Sequence, residues 1–221
     1  MSTLWATYQS IPIVTRLYTT FCVLTSIALQ LDLVSPFQLY FNPDLVFRRF
    51  QIWRLVTCFF YFGKFGLNFI LNLVFTYRYC RSLEEVSFHN RPADFIVLFA
   101  FGWTLMILIS LFTDVIFMGS SFTIMLVYVW SRRNAMTRIN IFGLITLSAP
   151  YLPWFLLGFQ VLTGRPFALD LIGIAVGHTY YFLEYIFPYQ QGGYRILKAP
   201  AFLERLFDPN GSLNQEARFL S

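Results

Sequence analysis

Charge is what this sequence has least of. Only 12% of its 221 residues are Asp, Glu, Lys or Arg, where a soluble domain carries about 25%. Hydrophobic residues make up 57% and aromatic residues 20%. Such a chain cannot cover itself with polar surface, so most of its exterior must face lipid. Histidine is nearly missing, with two residues, and the three cysteines (Cys22, Cys58, Cys80) have no ligand spacing. That excludes a metal centre and a disulfide framework, and no cofactor is expected. There is no internal repeat and little charge inside the apolar runs, which argues against a small-molecule transporter. The net charge of +5 is modest, and the basic residues lie between apolar runs. Membrane topology explains them better than nucleic acid does.

What the chain does have is apolar runs bounded by charges and turn formers. About six are evident, at roughly 17–34, 66–80, 94–113, 116–131, 140–163 and 168–187. The N-terminal stretch is weakly polar and has no small-residue cleavage pattern, so the first run is expected to remain as a span. The fold expected is an all-α membrane protein, one membrane domain over 1–189 followed by a polar tail over 190–221. Eleven of the sixteen basic residues fall on the side that six spans give to both termini, among them Arg78, Arg81, Arg91, Arg132, Arg133 and Arg195. The other five include Arg48, Arg49, Arg54, Lys64 and Arg165. Basic loops stay in the cytosol, so both termini are expected there. The sequon at Asn210 should then go unglycosylated.

Two features depart from a plain helical bundle. The first loop, DLVSPFQLYFNPDLVFRRFQIWRLVTCFFYFGKFG, is long, aromatic and basic. It reads as segments lying in the interface, with rings at headgroup depth and arginines reaching for phosphates. The second and fourth runs are only 15–16 residues long, about 23 Å of helix against a hydrocarbon core of roughly 30 Å. Short spans are accommodated by bilayer thinning or snorkelling flanks. Pro150 and Pro153 are expected to kink the fifth run. Glu84, Glu85 and Asp94 are expected to make loop contacts with Arg81 and Arg91, and Glu184 to reach the interface or pair with a neighbour.

Several polar residues inside these runs invite a chemical reading. Gly119-Ser120-Ser121 heads the fourth run, and Ser121 is either a nucleophile or a small residue at a helix start. His178 is the histidine of the sixth run. Asn68 and Asn72 are four apart, hence on one helix face, and either bond neighbouring helices or meet a substrate. Gly173 and Gly177 have the small-xxx-small spacing that lets two membrane helices approach closely. Trp53-Arg54 stands in the first loop.

In this order the motifs resemble the rhomboid superfamily, whose core is six helices. There a Trp-Arg motif sits in a membrane-embedded first loop, and a His-x-x-x-Asn pair on the second helix helps bind the oxyanion. A Gly-x-Ser-Gly nucleophile turn opens the fourth helix. A catalytic His precedes Gly-x-x-x-Gly on the sixth. Trp53, Arg54, Gly173 and Gly177 match, and Asn72 falls on the oxyanion Asn. Asn68 replaces the family's His, Phe122 replaces the closing Gly, and Asp170 stands where the catalytic His belongs. His178 lies eight residues beyond Asp170, about 12 Å along a helix, too far for a base that must hydrogen-bond the nucleophile. A carboxylate at Asp170 lacks the near-neutral pKa of an effective base.

The segments FQIWRLVT, RYCRSLEE, RPADF, MLVYVWSRRN, APYLPW and DLIGIAVGHTYYFLE are similar to the Derlins, the rhomboid pseudoproteases of the endoplasmic reticulum. That resemblance implies a six-transmembrane rhomboid-like bundle with interfacial helices in the first loop, and no catalysis. It implies a part in endoplasmic-reticulum-associated degradation: binding misfolded luminal or membrane proteins and helping them return to the cytosol. The partners implied are a ubiquitin ligase complex, a cytosolic AAA ATPase, membrane lipids, and oligomers with other Derlins. The C-terminal NQEARFLS carries no Gly-rich docking motif, so contact with the ATPase is expected to be indirect. Asn68, Asn72, Ser120, Ser121 and Asp170 are expected to line a polar groove for substrate. The alternatives are an active intramembrane serine protease, which needs Ser121, and an adaptor that only gathers partners.

Overall fold

The computed structural model describes residues 2–207 apart from 90, 142, 144, 163 and 165. Asn210, the tail beyond residue 207 and Arg165 therefore lie outside the described residues. The chain runs α1 (Ser2–Gln9), α2 (Ile13–Gln30), three short helices α3 (Pro36–Leu39), α4 (Pro43–Arg49) and α5 (Arg54–Thr57), then α6 (Leu67–Ser82), α7 (Pro92–Ser110) and α8 (Gly119–Arg133). A hairpin of β1 (Arg138–Ile141) and β2 (Ile145–Ser148) follows, then α9 (Leu152–Leu162), α10 (Ala168–Tyr181) and α11 (Ala201–Phe207). Two of these, α2 and α7, are long and apolar enough to cross a bilayer by length and composition, and the apolar stretch Ala149–Leu162 is shorter.

The helices correspond to the six expected runs with two corrections. The first run begins at Ile13 rather than 17, because Arg16 is accommodated inside the first turn. Its guanidinium reaches back to the Gln9 carbonyl (3.5 Å) and over the Tyr8 ring, as a long basic side chain does at a helix end. The fifth run does not begin at 140. RINI and ITLS pair as antiparallel strands, Arg138 opposite Ser148 and Ile141 opposite Ile145. They carry isoleucines in alternation with polar residues, the period of a strand, and Gly143 at φ +76° lies in the turn. Ile139 and Ile141 are buried. Pro150 sits in a 3-10 turn and Pro153 in the first turn of α9. A missing N–H costs nothing there, so neither kinks a span.

The core sits around α8. From Gly119 to Ser131 every residue of this helix is buried, which is why its polar and apolar residues show no amphipathic stripe. The helices α6, α7, α9 and α10 pack on it, and α10 does so most extensively. Glycines set the approach. A Cβ on Gly102 of α7 would run into Met125, and its nearest ring atom, Phe122 Cε2, would be at 3.0 Å. A Cβ on Gly173 would collide with the Ser121 carbonyl oxygen and come within 3.1 Å of Ile124 Cβ. One on Gly177 would stand 3.1 Å from Tyr128 and 3.2 Å from the Met125 oxygen. Apolar surface gains little by leaving lipid for another helix, so such close packing is the main attraction available.

Two carboxylates at helix ends tie distant segments together. After α6 the chain continues through a π-helical turn, Leu83–Ser87, which brings Glu84 to the start of α2. Arg81 pairs with Glu85 (2.9 Å), as expected for a solvated loop contact. Glu84 and Asp94 do not behave that way. Glu84 caps α2, whose Pro12 offers no side-chain cap. Asp94, in the first turn of α7, accepts from Arg195 (2.8 Å) and from the Ala199 amide (3.3 Å). Arg195 also pairs with Glu184. The segment around 195–199 is thus strapped against the helical domain. Burial opposes the Arg195 charge, but its hydrogen bonds to Glu184 and Asp94 outweigh that and raise its pKa.

Candidate functional site at the head of the central helix

The first loop is folded onto the start of α8. Arg54 builds it. Its guanidinium is 6% exposed, donates from Nε to Gln51 (2.6 Å) and from one terminal nitrogen to the carbonyls of Phe37 and Tyr40 (2.9 Å each), and lies over the Tyr40 ring. These are the unsatisfied carbonyls at the end of α3. The guanidinium therefore staples α3 to α5 instead of reaching for a lipid phosphate. Trp53 beside it is 55% exposed, as are Phe37, Phe47 and Phe50 to a larger extent. These rings give the loop an apolar outer face. The amide of Met118 donates to the Cys58 carbonyl (3.0 Å), and the Tyr18 hydroxyl to that of Phe59 (3.0 Å). Gly119 faces the same segment, where a Cβ would stand 2.7 Å from the Tyr61 oxygen and 2.8 Å from that of Phe59.

The next residues form a closed constellation. Ser120 and Ser121 are buried, and the Ser121 hydroxyl has no hydrogen-bond partner among the described residues. Phe122 is fully buried, ringed by Tyr18, Phe59, Phe99 and Trp103 with centroids 4.9–6.3 Å away. It fills the space behind the serines with aromatic packing. On α10, Gly173 presses on the Ser121 carbonyl. Asp170, one turn earlier, is fully buried and accepts from Gln160 Nε2 of α9 (3.0 Å).

His178 is placed elsewhere. Its Nδ1 lies 2.7 Å from the Tyr128 hydroxyl. That hydroxyl accepts from Arg132 Nε (3.1 Å), which leaves its own proton to donate to the imidazole. Tyr128 is seven residues beyond Ser121 on α8, about 10 Å along the axis. The parallel register of α8 and α10, with Gly173 at Ser121 and Gly177 at Met125 and Tyr128, keeps His178 near that level.

The two asparagines separate. Asn72 is buried and donates from Nδ2 to the Asn68 carbonyl (2.9 Å), whereas Asn68 is exposed near the start of α6. One turn further, Thr76 and Thr123 bond across α6 and α8 (2.5 Å). The structure thus gathers Asn72, Ser120, Ser121 and Asp170 within the bundle and leaves Asn68 at its surface. Tyr128, Gln160, Thr76 and Thr123 were not singled out from the sequence. Each is one half of a bond between helices.

A helical membrane protein, built on a buried central helix that opens with Gly-Ser-Ser and is gripped by a glycine-bearing partner helix, is the class these features define. The chain belongs to the Der1-like family, whose model matches residues 11–201. It is 42% identical to Derlin-2.1 of Zea mays, over 96% of this chain and 93% of that protein. It is 43% identical to Derlin-2.2 of Arabidopsis thaliana, over 90% of this chain and 86% of that one. It is also 43% identical to a probable derlin-2 homolog of Dictyostelium discoideum, over 91% and 82%.

Proposed function

We propose that this protein is a non-catalytic, rhomboid-like component of endoplasmic-reticulum-associated degradation. It spans the endoplasmic reticulum membrane six times with both termini in the cytosol, binds misfolded luminal or membrane proteins and eases their return to the cytosol. Family membership supports the role in degradation. One observation carries the non-catalytic part: the Ser121 hydroxyl has no hydrogen-bond partner among the described residues, while the histidine of α10 is engaged by Tyr128 well down the helix. A nucleophile and its base must touch. The other partners of this reading are a ubiquitin ligase complex, an AAA ATPase and further Derlins.

The path we propose for substrate lies between α6 and α9. Both pack on α8, yet they make no extensive contact with each other. Asn68 is exposed near the start of α6, and Asn72, Ser120, Ser121 and Asp170 are buried on α6, α8 and α10. Because these four are buried, the groove is closed in this conformation, and a substrate backbone reaches them only as α6 and α9 part. Inside lipid, such groups would satisfy backbone N–H and C=O that otherwise go unpaired at several kcal/mol each. The sixteen residues of α6, which exposes Leu67, Ile70 and Val74, rise about 24 Å, less than the roughly 30 Å hydrocarbon core. A bilayer thinned to match lowers the barrier to a polar chain.

Site-specific crosslinking in endoplasmic reticulum membranes tests this. A photocrosslinker at Asn68 should capture a stalled substrate, and one at Leu108, on the exposed side of α7, should not. Equal capture at both, or none, would leave an adaptor role. Cleaved substrate from the purified protein would make it a protease.

A further inference from the structure

At the opposite end of the bundle from Ser121 the helix ends enclose a polar cavity of about 330 Å³, lined by Ser87, His89, Arg91, Arg133, Glu184, Tyr185 and Arg195 among others. It sits where the π turn after α6, the start of α7 and the ends of α8 and α10 converge. Three guanidinium groups face one space, and they are not equally engaged. Arg133 is positioned from two sides: it donates to the Tyr185 hydroxyl (2.5 Å) and the Ser87 carbonyl (2.9 Å) and lies over the rings of Phe88 and Tyr185. That uses two of its five N–H donors. Arg195 is turned toward Glu184 and Asp94 through Nε and one terminal nitrogen, and the other terminal nitrogen has no partner among the described residues. Arg91 makes no side-chain hydrogen bond or ion pair among the described residues. Glu184 is the lone carboxylate of the lining. One of its oxygens pairs with Arg195, and the other is buried without a hydrogen-bond partner among the described residues.

We propose that this cavity binds a phosphorylated polyol, as a lipid headgroup or as the free phosphate. Arg91 and the spare donors of Arg133 and Arg195 take the phosphate, and the open oxygen of Glu184 accepts from a neighbouring hydroxyl. Guanidinium groups suit phosphate because their N–H donors are planar and forked. A site held by aromatic stacking and backbone carbonyls before the ligand arrives loses little order on binding. The cavity lies at the helix ends, the depth of lipid headgroups, and basic pockets between membrane helices are headgroup sites elsewhere. Glu184 makes the pocket more than a positive patch: it favours an anion that also carries a donor over a bare anion.

The test uses the full chain in phosphatidylcholine nanodiscs. Saturable binding is measured for inositol bisphosphate and for inorganic phosphate, and the measurement is repeated with nanodiscs carrying a phosphatidylinositol phosphate or the same charge as phosphatidylserine. Inositol bisphosphate should bind more tightly than inorganic phosphate, or the phosphoinositide more than phosphatidylserine; the first outcome assigns a free ligand and the second a lipid. The Arg91→Glu variant, which breaks no side-chain hydrogen bond or ion pair among the described residues, should weaken binding about tenfold or more. Glu184→Gln should narrow the preference for the polyol over inorganic phosphate. No saturable binding, binding unaffected by Arg91→Glu, or binding that follows lipid charge alone overturns the proposal.

Discussion

Glu84 and Thr15 are joined across 69 residues of sequence: one carboxylate oxygen of Glu84 accepts from both the amide (2.8 Å) and the hydroxyl (2.7 Å) of Thr15, and the other from the Val14 amide (3.0 Å). The start of α2 is capped by a residue of the turn after α6. A carboxylate there satisfies orphan N–H groups and complements the positive end of the helix dipole.

Replacing Glu84 by Ala should therefore lower stability by about 1–2 kcal/mol. Thermal unfolding in detergent reads it. Glu85→Ala, which breaks only a half-exposed pair with Arg81, should change the melting temperature far less. Equal shifts would mean that the cap is not a stabilising contact.

The glycines of α10 differ from that of α9. A side chain at Gly173 collides with the Ser121 backbone, whereas a Cβ at Gly158 meets nothing within 4 Å. Gly173→Leu should cost at least about 1–3 kcal/mol by forcing α10 off α8, and degradation of a model substrate should slow. Gly158→Ala should leave degradation intact and gain up to about 1 kcal/mol of helix propensity. Normal folding and unchanged degradation in Gly173→Leu would count against both the packing and the function.

Ser121 and Phe122 should respond in opposite ways. The Ser121 hydroxyl is buried without a partner among the described residues, so Ser121→Ala removes an uncompensated polar group and should be neutral or stabilising to the fold. Wild type should show no labelling by a serine-reactive fluorophosphonate. Phe122→Ala opens a cavity among four aromatic rings and should cost about 3–5 kcal/mol. Labelling of Ser121 by the probe would restore the protease reading.

Arg54 and Trp53 are adjacent but do different things. Arg54→Ala leaves the Phe37 and Tyr40 carbonyls without their donor and should cost about 2–3 kcal/mol. Limited proteolysis should then cut within 37–57. Trp53→Ala, at a half-exposed ring, should leave that segment protected, and the share of tryptophan fluorescence that brominated lipids quench in the wild type should fall with its loss.

By itself the sequence determined the solvent, the family and most of the helices. Low charge and high aromatic content impose lipid, and the period of the apolar runs places helices to within a few residues. The motifs Trp53-Arg54, Gly119-Ser120-Ser121 and Gly173-x-x-x-Gly177 could be read because each is local in the chain. The 140–148 segment reads as part of an apolar run by composition, yet its alternating period and Gly143 make it a hairpin. Tertiary structure alone decided who meets whom. That His178 belongs to Tyr128, Asp170 to Gln160, Glu84 to Thr15 and Arg195 to Asp94 depends on helix register and on turns of π geometry. Spacing along one chain segment fixes which residues share a face, but not which face of another helix comes against it.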